Sequence, residues 1–299
     1  MSVLVVGSVA LDTVETPFGR AEAVLGGSAS YFGFAASLFT DVQLVGVVGE
    51  DFPDEHIQAF RQRGIDVTGL VRQPGRTFRW TGRYQGPMSV AETLHVELNV
   101  FGDFEPVVPP QYQDAEFVFL ANAAPQVQMH VCQQVPDARL VVADTMNFWI
   151  ENEREALLEL VGEVDGVVVN DHEARQLTGE DNLILAAREI LRLGPIFVVV
   201  KKGEHGSMLA TKTSLCVLPA YPTTEVRDPT GAGDSFAGGM MGHLARCGEV
   251  TNATLREALA YGTVMASLTV EDFSLRRLAA SRNEEVEDRL AELRRLTQL

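Results

Sequence analysis

A chain of 299 residues that is 46% hydrophobic can bury a large core, which excludes a disordered protein and fits one large α/β domain or a domain with a small appendage. Its formal charge of -17 excludes a general affinity for nucleic acid or for an anionic membrane, since both reward a basic surface, and an anionic ligand would need a local positive site. Cys132, Cys216 and Cys247 are too few and too far apart for a disulfide framework and read as reduced thiols of a cytoplasmic protein, and no apolar run approaches the roughly 20 residues of a membrane span.

In chain order, the apolar start meets Asp12 with no basic n-region and no small-residue cleavage pattern, so Val3–Val6 reads as a first buried strand rather than a signal peptide. Further short runs rich in Val and Ile follow at Val42–Val47, Phe117–Leu120, Leu140–Ala143, Gly166–Val169 and Ile196–Lys201. Amphipathic stretches at Ala29–Leu38, Asp54–Gln62, Glu153–Val161 and Ile184–Leu193 separate several of them. This alternation is the pattern of βα units around a mostly parallel sheet. From about Gly64 to Phe104 the helical period fades, and Thr77–Tyr84 and Thr93–Asn99 read as strands joined at Gly86-Pro87. A small inserted sheet is expected there, either a lid over a cleft or an edge that pairs with another subunit; an ordinary long β excursion with no moving part is the alternative. The chain ends in helices, with apolar residues at helical spacing in Gly231–Cys247, Thr254–Thr269 and Glu284–Leu296.

The chemistry concentrates in Arg227-Asp228-Pro229-Thr230-Gly231-Ala232-Gly233-Asp234-Ser235-Phe236. Gly231, Ala232 and Gly233 are small enough for their backbone N–H groups to approach an anion, and they stand where a helix begins with its positive dipole end. No Gly-Lys-Ser/Thr follows, so this is not a Walker A loop. A carboxylate repels phosphate, so Asp234 in the first turn is poorly explained as a phosphate ligand and well explained as a base toward an attacking hydroxyl. The bland alternative is a helix N-terminus stabilised by Asp234.

The ten-residue string resembles the C-terminal signature of the PfkB (ribokinase-like) family of carbohydrate and nucleoside kinases, and the resemblance runs over nearly the whole chain. It implies a three-layer α/β/α fold, a mostly parallel sheet and a β lid, here a single domain over 1–299 with the lid at about 64–104. It assigns Asp234 as catalytic base and Gly231–Gly233 as the anion hole, and it places Thr230 with the ATP phosphates. Asp12 then resembles the ligand of a substrate hydroxyl, a role that suits a carboxylate facing two adjacent hydroxyls; a turn cap is the alternative. Gly26-Gly27 resembles the glycine pair at the substrate, or is a plain loop opening the first long helix. Asn170 and Glu173, after a buried strand, resemble the residues that organise Mg²⁺ through water beside ATP, and equally spell a helix capping box. Lys202, Gly203 and Gly206 resemble the glycine turn beside the ATP phosphates and ribose, though a β-hairpin turn would look similar. The implied cofactors are ATP and Mg²⁺, with K⁺ as a monovalent cation near Thr269–Phe273, and the implied assembly is a homodimer through the lid sheet.

Two departures bear on the acceptor. Ser30 and Tyr31 stand where the family commonly has an asparagine, so Ser30 is the substrate-site candidate there, and Asp51-Phe52-Pro53-Asp54 lacks a customary glycine. Phe78, Trp80, Tyr84, Phe101 and Phe148-Trp149 offer faces for a base or sugar, or simply a core. Arg76, Arg79 and Arg83 offer charge for a phosphorylated substrate, or are solvated strand charges. Sugar and nucleoside both stay open. A ligand-binding sensor on the same fold is the rival, and it would be expected to lose Asp234, Asn170 or Glu173.

Overall fold

The structure is a computed structural model describing residues 1–86, 88 and 90–298; Pro87 of the Gly86-Pro87 junction lies outside the described residues. Thirteen strands occur among the described residues. They are β1 (Ser2–Val6), β2 (Ala10–Thr16), β3 (Gly19–Gly26), β4 (Asp41–Gly49), β5 (Ile65–Gln73), β6 (Phe78–Tyr84), β7 (Ala91–Glu97), β8 (Phe117–Leu120), β9 (Leu140–Asp144), β10 (Gly166–Asn170), β11 (Phe197–Lys201), β12 (Ser207–Thr211) and β13 (Leu215–Leu218). Nine form one sheet in the order β13-β12-β11-β10-β9-β8-β1-β4-β5, and four form a second in the order β3-β2-β6-β7. The large sheet is parallel except at one end, where β12 and β13 turn back antiparallel.

The apolar runs are continuous because both faces of this sheet are covered. Val3 and Val5 of β1 enter one core while Leu4 and Val6 enter the other, and Phe117, Phe119 and Val118, Leu120 of β8 divide in the same way. One face packs against helices Ser28–Ala36, Ala232–Cys247, Asn252–Thr269 and Asn283–Leu296, the other against Pro125–Gln134, Arg154–Glu163 and Leu183–Leu193. The result is the expected three-layer α/β fold with a second, small sheet. Among the described residues no helix is long and apolar enough to cross a membrane.

The small sheet does not match the expected insertion at 64–104. Half of it, β2 and β3, comes from residues 10–26, and β5 belongs to the large sheet, parallel to β4 from Val42↔Ile65 to Gly49↔Gln73. An edge strand is half-buried, so Ile65–Gln73 alternates much as a lid strand does and the two look alike in sequence. Tyr84, Val14, Ala21, Met88 and Phe273 make the small sheet's own core, Phe78 stacks on Phe101, and Trp80 lies across Gly82 with its Nε1–H on Thr93 Oγ1. The lid aromatics therefore serve packing first. Arg79 and Arg83 are taken by Asp51 (2.7 Å) and Glu15 (2.9 Å), and Arg76 lies 3.8 Å from Glu97.

Candidate active site

Helix Ala232–Cys247 starts from Gly231, which caps it in the left-handed conformation (φ 73°). A side chain at 231 would overlap the ring of Tyr31, buried on helix Ser28–Ala36, so the loop lies flat on an aromatic face. The first N–H groups of a helix have no partner one turn back and point outward along the axis. Of the three expected anion-hole residues, Ala232 turns its N–H to Pro229 O (3.2 Å) in this conformation, which leaves Gly233 and Asp234 as the open end of the helix. Upstream, Arg227 N–H and Asp228 N–H donate to Val270 O, and the buried Asp228 carboxylate accepts from Thr230 N–H (2.9 Å) and Ser274 N–H (3.3 Å). Thr230 also donates its hydroxyl to Tyr84 Oη at 3.3 Å, so the loop is tied to the small sheet.

Two clusters meet at Asp234. The first contains Asp12, Gly26, Gly27 and Ser30. Asp12 on β2 is buried, its Oδ1 has no hydrogen-bond partner, and its carboxyl occupies the space that a side chain on Gly26 would need. Burial pushes its pKa up to about 7, partly offset by the Gly27 N–H, with the charges of Asp228 and Asp234 adding to the rise. Gly27 (φ 94°) lies against the Ser8–Ala10 backbone, and Ser8 and Ser28 bond reciprocally, so the glycine pair serves the chain's own close packing before any ligand's. Ser30 is buried with an unpartnered Oγ.

The second cluster contains Asp144, Glu173 and Lys201. Asn170 caps helix Asp171–Thr178, accepting from Glu173 N–H (2.8 Å) while its own N–H donates to Glu173 Oε2 (2.7 Å); the capping box is formed. Glu173 is buried and pushed up to about 7 by burial, with Lys201 opposing and Asp144 and Asp234 adding. Lys201 Nζ lies 3.3 Å from Asp144 Oδ2 and 3.0 Å from where a Cβ on Gly233 would stand. Asp234 is half-buried and likewise raised to about 7, first by burial, then by Asp144, against Lys201 and its own backbone N–H. Three carboxylates thus surround one ammonium beside the open helix end. Among the described residues no three acidic, His or Cys groups are placed to hold a metal; Asn170 and Glu173 offer the kind of oxygen donors that Mg²⁺ prefers.

Lys202, Gly203 and Gly206 form the tight turn between β11 and β12. Lys202 N–H donates to Gly206 O at 2.8 Å, and Gly206 (φ 83°) packs against the Leu218–Ala220 backbone. The lysine beside the anion loop is its neighbour, Lys201. Lys201 and Asp144 were not singled out from the sequence, and strand parity holds the signal. Leu140 and Val142 on β9, and Phe197 and Val199 on β11, face the core under helix Ala232–Cys247, so two residues on, Asp144 and Lys201 must face it too. Tyr31 and Tyr84 stand out in the sequence as a departure and as an aromatic face, and the structure gives them contacts with the anion loop: Tyr31 lies against Gly231 and Tyr84 Oη accepts from the Thr230 hydroxyl. His172 is exposed.

Known proteins share this fold. Residues 3–280 match the pfkB family carbohydrate kinase. The cytidine kinase of Thermococcus kodakarensis is 32% identical over 252 residues, 82% of this chain and 89% of that protein. Among solved structures, the nucleoside kinase of Methanocaldococcus jannaschii, an archaeal member of the ribokinase family, superposes with a TM-score of 0.79 at 20% identity, covering 97% of this chain and 98% of its own. The aminoimidazole riboside kinase of Salmonella enterica, complexed with aminoimidazole riboside and an ATP analog, gives 0.79 at 20% identity over 97% and 100%. The family match runs from within β1 to Ala280, past the Asp228–Asp234 string and the two long helices that follow it, and the chain belongs to the pfkB family of carbohydrate kinases.

Proposed function

We propose that this kinase transfers the γ-phosphoryl group of ATP to a hydroxyl of a nucleoside or sugar, with Asp234 as the base. The observation that carries the reading is the position of Asp234: at the open end of a helix, between an acidic site that suits hydroxyls and a mixed-charge site that suits phosphates. Asp12 accepts from acceptor hydroxyls and orients them. Asp234 takes the proton of the attacking hydroxyl, and a carboxyl with a pKa of about 7 is matched to that task near neutral pH. The N–H groups of Gly233 and Asp234 donate to the charge that develops on the phosphoryl oxygens, with Gly231 and Ala232 shaping the loop. Asn170 and Glu173 would hold Mg²⁺ through water, and Mg²⁺ supplies charge neutralisation on the phosphates.

Thr230 and the Lys202–Gly206 turn border the nucleotide in this reading, and closure of the small sheet over the cleft excludes water. The cytidine kinase likeness makes nucleosides the first acceptors to try. A homodimer through the small sheet suits the exposed Leu94 and Val96 on β7, with Leu98 beyond its end, and sedimentation of the purified protein tests it. The reading places the protein in the cytoplasm, which suits its free Cys132, Cys216 and Cys247.

ATP consumption with Mg²⁺ against a panel of nucleosides, pentoses, hexoses and sugar phosphates, in K⁺ or Na⁺, tests the reading. Turnover on one class, abolished by Asp234→Asn, is expected. Saturable binding without turnover on any acceptor would favour the sensor instead.

A further inference from the structure

At the carboxyl ends of three adjacent strands, one face of the large sheet exchanges apolar residues for polar ones. Asp144 on β9 follows Val142, Asn170 on β10 follows Val168, and Lys201 on β11 follows Val199; the register sets Val168 beside Asp144 and Asn170 beside Lys201. Asp144 is 5% exposed and both its oxygens are engaged, Oδ1 by Thr145 N–H at 2.9 Å and Oδ2 by Lys201 Nζ at 3.3 Å. Lys201 has two other carboxylates near it. Glu173 is held by the Asn170 N–H, and Asp234 stands at the helix end beside Gly233, where the ammonium already lies. A buried ion pair is weak evidence for stability, since an apolar pair of similar volume often serves as well. Its position beneath the anion loop calls for another account.

We propose that Asp144 is a positioning residue for phosphoryl transfer: its carboxylate holds the Lys201 ammonium beneath Gly233, facing the transferred phosphoryl group, and withholds it from Asp234. The proposal rests on the kinase reading above. Without the Asp144 charge, the ammonium is left to Glu173 and Asp234, the two other carboxylates that act on it, and pairing with Asp234 would occupy the base and draw the cation off the phosphate. Loss of Asp144 therefore acts through Lys201, and it should do no further harm once Lys201 is gone.

The test compares Asp144→Asn, Lys201→Met, Lys201→Arg and the double variant Asp144→Asn/Lys201→Met. The readouts are ATP affinity by calorimetry without acceptor, kcat and KM, and the melting temperature. Lys201→Met is expected to lower kcat roughly 10²-fold, the weight of one donor to a developing oxyanion. It should also weaken ATP binding about tenfold, in line with loss of a charge-assisted contact, while Lys201→Arg retains most of that affinity. Asp144→Asn is expected to lower kcat with the acceptor KM unchanged, and the double variant to match Lys201→Met. An Asp144→Asn effect of equal size with and without Lys201 would overturn the proposal, as would unaltered ATP affinity and kcat in Lys201→Met. If Asp144→Asn alone does not fold, the double variant, which carries neither charge, serves as the comparison, and any loss beyond Lys201→Met counts against the idea. Wild-type turnover tests the kinase reading, and ATP affinity tests the pair even before the acceptor is known, so the two failures are distinguishable.

Discussion

Gly231 and Tyr31 are in face-to-ring contact: the glycine backbone rests where a methyl group would overlap the Tyr31 ring, and its φ of 73° is one that L side chains resist. The anion loop is thereby seated on the first long helix, whose N-terminus Gly27 caps four residues before Tyr31. Gly231→Ala is expected to cost roughly 2–5 kcal/mol, the sum of a left-handed backbone and an overpacked contact. It should also lower kcat by tilting Gly233 and Asp234. Urea unfolding and steady-state kinetics check this; a variant with both unchanged would show that loop and ring are not coupled.

Glu173 has two roles that one substitution separates. Glutamine preserves the capping box, because its side-chain oxygen still accepts from the Asn170 N–H, but it removes the charge. Glu173→Gln is therefore expected to keep or raise the melting temperature while increasing the Mg²⁺ concentration needed for half-maximal turnover, by about tenfold if it acts as an outer-shell ligand. A destabilised variant with an ordinary Mg²⁺ requirement would mean that Glu173 serves the helix alone.

Thr77 joins the two sheets. It is fully buried, its N–H (2.7 Å) and hydroxyl (2.7 Å) both reach Asp51 Oδ1, its hydroxyl receives Gly49 N–H (3.0 Å), and its carbonyl receives Asn99 Nδ2 (3.0 Å). Thr77→Val keeps the volume and removes the hydroxyl, leaving buried partners unpaired at a cost of roughly 1–3 kcal/mol. If this junction is the hinge of a closing sheet, kcat and KM change together. Lost stability with intact kinetics would make it a brace only.

The layers were legible in the sequence because a doubly covered strand writes itself as an unbroken apolar run, and β1, β4, β8, β9, β10 and β11 were all found in this way. β12 and β13 were not, since Ser207–Thr211 opens and closes on polar residues around a run of only three apolar ones, and Leu215–Leu218 alternates as a half-exposed edge does. β2 and β3 were hidden for a different reason. Asp12 and Gly26-Gly27 stood out as a motif, and a motif reads as a loop, although Asp12 lies within β2 and Gly26 ends β3. In the site, Asp234 and Gly231–Gly233 were legible because their chemistry is local in sequence. The Asp144–Lys201 pair spans 57 residues, and only strand parity brings the two onto one face.

Three carboxyls with raised pKa values make stability and activity run in opposite directions with pH. Asp12, Glu173 and Asp234 each titrate at about 7 in the folded chain, against 3.8, 4.5 and 3.8 when unperturbed, with burial the first cause in all three. Between about pH 4 and 7 the folded state therefore binds more protons than the unfolded one, so stability without ligand falls as pH rises through that window and levels off above it. Each such proton contributes a slope of up to about 1.4 kcal/mol per pH unit. Asp234→Asn removes one of the three, so its stability should fall less steeply and exceed that of the wild type above pH 7. Activity has the other sign: Asp234 accepts a proton only when ionised, so kcat/KM should rise with pH through about 7. Thermal melts of both proteins from pH 4.5 to 8.5, beside a kcat/KM profile of the wild type, decide the matter. Parallel stability curves, or an activity limb near the ordinary aspartate value of 3.8, would remove Asp234 from the set of raised carboxyls and with it the case for a base poised at neutral pH.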